Sequence, residues 1–462
     1  MNTKVLTRRE FLKAAALTGA GISLAACAPK AETTAPAEAE TTQAPPPKEG
    51  RLLRYWSGWG GEGYSSYLDQ VIAMDGFKQI LGNNTFEYKV SAGEEALLTA
   101  IAGGDPPDTG ANINYLGFMA RDVLLPVDDL VAASTTTKKE DFIEGNWNLC
   151  FYKGKQYGIP SQEGFLRFGL NYNTKLIEAA GLDPDNPPRT WDDLLDWHIK
   201  LTKKDDAGNV IQIGLNPYAA MGEGFWDSDG WMVVTSWDMK WFDESTGKFN
   251  LNNENLVEAF KTFKKFVDVV GADNLVALYS VEGRDTWGGA YNAEVEAMLI
   301  EGYWHPGETM HDKPEVAKNN RASWVPVPMS RKDVKSQGAG GHMWSVFKGS
   351  KDPETVFKIG EFLNTKESCD ILWKNQGWLP GIKAYINSVD PSIYPGVDFY
   401  FKSVTEATEW HWAARCEITT FASNEYLSLK DKVNRDEMTA EQAAEELQKR
   451  CEEEYKNAGF GA

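Results

Sequence analysis

Side chains able to make or break bonds are present, but they form no familiar catalytic pattern. The chain has five histidines, His198, His305, His311, His342 and His411. His305 and His311 stand six residues apart, which does not place them on one helix face, so the spacing builds no metal site. No GxSxG, HExxH, GxxxxGK(S/T) or complete GxGxxG run occurs. Asp205-Asp-Ala-Gly-Asn209 has the oxygens of a turn without the full calcium-loop spacing. No metal or cofactor is therefore expected. Carboxylates abound, and a pair for glycoside hydrolysis can come from distant positions, so that reading stays open. What the chain has in surplus is flat aromatic surface. It holds 17 Trp, 17 Tyr and 21 Phe. That exceeds what a core needs, and a buried indole N–H wants a partner.

The elements that must position these groups belong to a folded, acidic body. The 462 residues carry a formal net charge of −20. The first 27 are basic, with Lys4, Arg8, Arg9 and Lys13 against Glu10, so the remainder is more acidic than the whole. Such a body is a poor binder of nucleic acid or of anionic membrane. Its size implies two or more lobes. Residues 1–27 have the basic start and short apolar run of a signal peptide, too short to span a bilayer. Arg8-Arg9-Glu-Phe-Leu-Lys13 resembles a twin-arginine export signal, and Leu24-Ala-Ala-Cys27 a bacterial lipobox, which would make Cys27 the lipidated first residue. Residues 28–50, rich in Ala, Glu, Thr and Pro, are expected to form a disordered tether reaching about 25 Å as a coil and roughly 70 Å if drawn into polyproline II. Cys150, Cys369, Cys416 and Cys451 match no zinc or redox spacing; disulfides and buried free thiols are both open.

The body begins with a strand signal at Arg51–Trp56, a Gly-rich loop, a helix over about 64–80, a strand at Glu87–Val90 and a helix at Glu94–Ala102. That order predicts a parallel α/β lobe, whose ligands sit at the carboxyl ends of strands. Further on, Asn173–Ala180 reads as a short helix, and Thr190 with Asp193 starts another reaching Lys203. Leu256, Phe260, Phe263, Val267 and Val270 mark a buried helix face. Thr439 with Gln442 caps the terminal helix, in a final stretch that is mostly helical.

Several segments, in order, resemble the extracellular solute-binding proteins of bacterial ABC importers, in particular the sugar-binding family that includes maltodextrin-binding protein. They are Leu97-Leu-Thr-Ala-Ile-Ala-Gly-Gly-Asp-Pro-Pro-Asp108, Leu124-Leu-Pro-Val-Asp-Asp-Leu130, Gly154-Lys-Gln-Tyr-Gly-Ile-Pro160, Asn171–Asp183, Thr190–Leu194, Glu296–Trp304, Gly340–Lys351 and Gly377-Trp-Leu-Pro380. The resemblance implies an α/β, two-lobed periplasmic-binding-protein-like clamp with discontinuous lobes and a hinge. Lobe 1 would comprise 51–160 and 329–385, and lobe 2 would comprise 161–328 and 386–462. It also implies a monomer that captures a carbohydrate, an oligosaccharide in particular, and delivers it to the membrane subunits of an ABC transporter, touching the membrane only through its lipid anchor. Enzymatic activity is not expected. An exported glycoside hydrolase is the alternative, as is a binding protein for a non-sugar solute such as a peptide. An organic anion fits less well, because anion sites favour Arg.

Sugar hydroxyls want fixed polar partners, and pyranose C–H faces want flat apolar ones, which Trp and Tyr supply together with a polar edge. By the resemblance, Trp304 is the pocket tryptophan, and Asn112, Asn114 and Tyr115 follow the Gly-Asp-Pro-Pro-Asp turn where the family places ligand contacts. Glu163 lies near a cleft carboxylate, with Gln162 as the fallback, and His342 takes an aromatic position after Gly340-Gly341. Trp59 sits in the first strand-to-helix loop, whereas Trp56 and Trp344 read as structural. Trp226 is the ligand candidate in an acidic, aromatic loop with Glu223, Asp227, Asp229 and Trp231. Trp378 sits in a turn. Trp410, Trp412 and Arg415 lie where the C-terminal region closes on the cleft. Trp412 is the candidate there, since two tryptophans two apart on a helix cannot both face it.

Overall fold

A computed structural model describes residues 50–278 and 288–461. The expected leader, the lipidated Cys27 and the tether up to residue 49 lie outside the described residues. Residues 49–462 form one compact unit.

The opening strand signal becomes Leu52–Ser57, whose alternating burial puts Leu53 and Tyr55 inward. It pairs in parallel with Thr85–Lys89 on one side and Thr109–Ala111 on the other. Met343–Val346 then joins antiparallel to Thr109–Ala111 and to Gly158–Pro160, completing five strands. The helix expected over 64–80 is two helices, Glu62–Ala73 and Asp75–Leu81, because Met74 between them is extended (φ −66°, ψ 142°). Trp344 is core, its indole donating to the Val356 carbonyl at 2.8 Å.

A second sheet has Gly169–Asn173 at its centre, antiparallel to Met298–Glu301 and Asn320–Ser323. Thr190 caps Trp191–Leu201, its Oγ1 accepting from the Asp193 N–H, and Glu254–Val270 buries the face marked in the sequence. The two C-terminal helices, Thr419–Asn434 and Ala440–Asn457, pack on that helix, and the latter carries a complete Thr439–Gln442 capping box. Much of the tryptophan surplus is consumed here. Trp191 stacks on Trp237 at 5.5 Å, and Phe225, Trp231 and Trp241 pack together near Tyr426.

Three stretches of backbone run side by side where the two sheets meet. The His342 N–H donates to the Glu163 carbonyl (2.8 Å), Arg167 N–H to Gly338 (3.0 Å), and Gly164 N–H to Leu379 (2.8 Å). Asn146 plugs this junction, donating from Nδ2 to the Gly164 carbonyl. A Cβ on Gly164, Gly341 or Gly381 would collide with its amide, so the close approach requires glycine. Among the described residues no helix is long and apolar enough to cross a membrane. Cys150, Cys369, Cys416 and Cys451 are all free and buried.

Candidate functional site

The strand ends at Ser57 and Ala111 deliver Trp59 and Asn112–Tyr115 to one edge of the first sheet. Trp59 lies 4.6 Å from the His342 ring and 4.8 Å from Trp378, with Tyr64 behind both. Tyr115 is fully buried with its hydroxyl 3.5 Å from His342 Nδ1, and burial pushes that phenol well above its usual pKa. Trp378 donates its indole N–H to Glu308 Oε1 at 2.8 Å. Burial pushes the Glu308 carboxyl up to about 8, against the pull of that hydrogen bond.

The charged part of the cluster centres on Arg167, which has no exposed surface. Its guanidinium pairs with Glu163 (2.7 Å) and Asp229 (2.8 Å) and lies over the Trp304 ring at 5.0 Å. Burial works against the Arg167 charge, but Asp229 and Glu163 more than offset it and hold the group above its ordinary range. His342 Nε2 lies 3.5 Å from Glu163 and 3.7 Å from Asp229. Burial still lowers its pKa, so the imidazole is neutral near pH 7. Glu163, Asp229 and His342 offer ligand atoms within 4.8 Å of one another, but Arg167 already supplies the positive charge a cation would bring. Asp238, Glu409 and His411 form a second such group, with Arg331 paired to Glu409.

Beside this cluster lies a cavity of about 630 Å³. Its wall includes Glu144, Asp227, Glu244, Lys383, Trp412 and Arg415. Trp412 is 51% exposed and rests against Gly145, where a Cβ would collide with its ring. Trp410 and Trp412 do not follow a helix. Glu409–His411 is a strand, so both tryptophans take the same side and stack at 6.3 Å and 19°. Arg415 donates from Nη1 to the Asn148 carbonyl, while its Nη2 has no hydrogen-bond partner.

The structure thus brings Trp59, Tyr115, Glu163, Trp304, His342 and Trp378 into one cluster and sets Trp412 apart on the cavity wall. Asn112 takes φ +50° and donates its N–H to the Tyr115 hydroxyl. Asn114 caps Tyr115–Ala120 and donates to Thr420 Oγ1 at 2.9 Å. Trp226 is 37% exposed, and the Asp227–Asp229 turn beyond it reaches inward instead. Arg167 and Glu308 have roles that sequence reasoning did not assign. Glu308 had a signal, four residues beyond Trp304, with a backbone hydrogen bond linking the two positions. Arg167 had only Glu163 four residues before it as a local hint, while its second partner, Asp229, comes from a separate segment.

Residues 61–368 match the family described as bacterial extracellular solute-binding protein. The chain belongs to that family. Among solved structures, this solute-binding protein is similar to CpMnBP1 with mannotriose bound (TM-score 0.75, 21% identity, 87% of this chain and 100% of that one). It is also similar to the ABC substrate-binding protein Lmo0181 from Listeria monocytogenes in complex with cycloalternan (0.71, 19%, 89% and 100%). A third is the maltose/maltodextrin-binding domain MalE from Bdellovibrio bacteriovorus bound to maltotriose (0.68, 17%, 88% and 100%). A Brucella abortus protein named only as a binding protein is 23% identical over 316 residues, covering 65% of this chain and 70% of its own length. At these identities the structural likeness carries the fold, a two-lobed clamp of the periplasmic-binding-protein kind. As an extracellular solute-binding protein, the chain works outside the cytoplasm.

Proposed function

We propose that this protein captures a carbohydrate, an oligosaccharide in particular, between its lobes and delivers it to the membrane subunits of an ABC importer without altering it chemically. The observation that carries the reading is the cavity wall. A half-exposed indole, Trp412, lies beside carboxylates and an arginine whose Nη2 has no partner. A flat apolar face next to strong directional donors and acceptors is what a pyranose ring requires. The relatives solved with mannotriose, cycloalternan and maltotriose support the same ligand class.

The lobes of this reading are 51–160 with 329–385, and 161–328 with 386–462. Trp59, Asn112, Asn114, Tyr115, Glu163, Trp226, Trp304, His342, Trp378 and Trp412 line or support the cleft. Closure stabilised by a ligand touching both lobes gives the transporter a state to recognise. The protein acts as a monomer, held at the membrane through a lipidated Cys27. Titration calorimetry of residues 49–462 against mono- and oligosaccharides tests the proposal, with each titrant checked afterwards for cleavage. Binding of intact sugar is the expected result. Cleaved sugar would make the protein a hydrolase, and no binding would end the carbohydrate reading.

A further inference from the structure

Between the aromatic cluster and the cavity stands the turn Trp226–Gly230. Its ends are tied by two backbone hydrogen bonds, Trp226 N–H to the Gly230 carbonyl (3.2 Å) and the reverse (3.1 Å). Each residue at its tip is anchored. Asp227 Oδ2 accepts from the Leu116 N–H at 3.1 Å, and the Ser228 carbonyl accepts from the Gly341 N–H at 3.2 Å. Asp229 pairs with Arg167 at 2.8 Å. The tip faces two ways. Asp227 and Ser228 line the cavity with Gly340 and Gly341, while Asp229 holds Arg167 over Trp304 on the other side. A Cβ at Gly340 would collide with the Ser228 carbonyl oxygen, so that glycine is what lets the turn seat.

Resting on the sugar-binding reading above, we propose that the Asp227-Ser228-Asp229 turn is a specificity element that ends the ligand site at the Trp412 cavity and withholds Trp304 from it. A chain of sugar rings entering along Trp412 meets Asp227 and Ser228. The Trp304 face beyond is covered by Arg167, which Asp229 holds in place. Short oligosaccharides therefore bind with the turn seated, and longer ones gain nothing from their extra rings unless it leaves.

The test is calorimetry with a ladder of linear gluco- and manno-oligosaccharides, from the disaccharide upward, on the wild type, Gly340→Ala and Asp229→Ala. In the wild type, affinity is expected to stop rising at a short length. In Gly340→Ala and Asp229→Ala, affinity continues to rise with length, and adding Trp304→Ala then weakens binding of the longer sugars about tenfold. The same length dependence in all three proteins overturns the partition. Hydrogen exchange reads the turn without any sugar. The Leu116 and Gly341 amides should be protected in the wild type and exchange at least about tenfold faster in Gly340→Ala. Unprotected amides in the wild type overturn the proposal. If no sugar binds while those amides behave as expected, the ligand class is wrong and the turn's seating stands.

Discussion

Trp304 and Trp412 are the same residue type on opposite sides of one turn, and their surroundings differ in nearly every respect. Trp304 is 8% exposed, under a guanidinium that is itself clamped by two carboxylates. Trp412 is half exposed and shares a cavity wall with an arginine that leaves one nitrogen unpartnered. On the first side the guanidinium over the Trp304 ring is held by ion pairs to Glu163 and Asp229, so a ligand would have to displace it to reach that face. On the second side the Trp412 face is open, so a ring can stack on it without displacing a partner. Residue type makes a tryptophan suitable for a sugar, but what covers its face decides whether it is available.

Five perturbations can break or sharpen this contrast. Arg167→Met should cost the most, about 3–5 kcal/mol, because it strands the buried Glu163 carboxylate and the half-buried Asp229. Urea unfolding checks this, and a loss under 1 kcal/mol would mean the pair is not buried in solution. Trp304→Ala should follow at about 3 kcal/mol in the same assay, as a large-to-small core change. Trp412→Ala should reverse the pattern, weakening oligosaccharide binding about tenfold by calorimetry with little change in unfolding. If the two tryptophan variants behaved alike, the contrast would be lost.

The fourth perturbation is pH. Glu296 lies just before the strand that leads to Trp304, and burial raises its carboxyl from an ordinary 4.5 to about 8, opposed by a hydrogen bond from the Asn216 N–H. A carboxyl with a raised native pKa favours folding while protonated. Its contribution is full below about 4.5 and is lost as the pH climbs through about 8. Stability should fall over that window, and Glu296→Gln should flatten the fall; an unchanged slope would exclude Glu296 as its source. The smallest expected effect is that of a reductant. All four body cysteines are free and buried, so dithiothreitol should leave the melting temperature unchanged.

Local signals in the sequence carried far along the helices. The Leu256–Val270 face and the Thr439–Gln442 box needed only neighbours three or four residues away, and both are present. The Asp205 turn closes as read, with Asp205 Oδ1 accepting from the Ala207 and Asn209 N–H groups. Local signals failed where a single residue or a distant partner decides. Extended Met74 splits a helix that periodicity would continue. The strand at Glu409–His411 exists because Ser336–Gly338 lies beside it, and nothing near Trp410 announces that partner. The Arg167 cluster draws on residues 163, 229 and 342, which no spacing rule connects.

The first sheet also bears on how the chain is made. Met343–Val346 lies between Thr109–Ala111 and Gly158–Pro160, so two segments synthesised early wait for one synthesised late. The strand that joins Gly158–Pro160 to the rest of the sheet is missing until about three quarters of the chain has left the ribosome. A nascent chain paused before residue 343 therefore exposes two unpaired strand edges, a hazard for aggregation. Folding of this sheet then waits on long-range closure, slow by nature and suited to chaperone protection until that strand arrives.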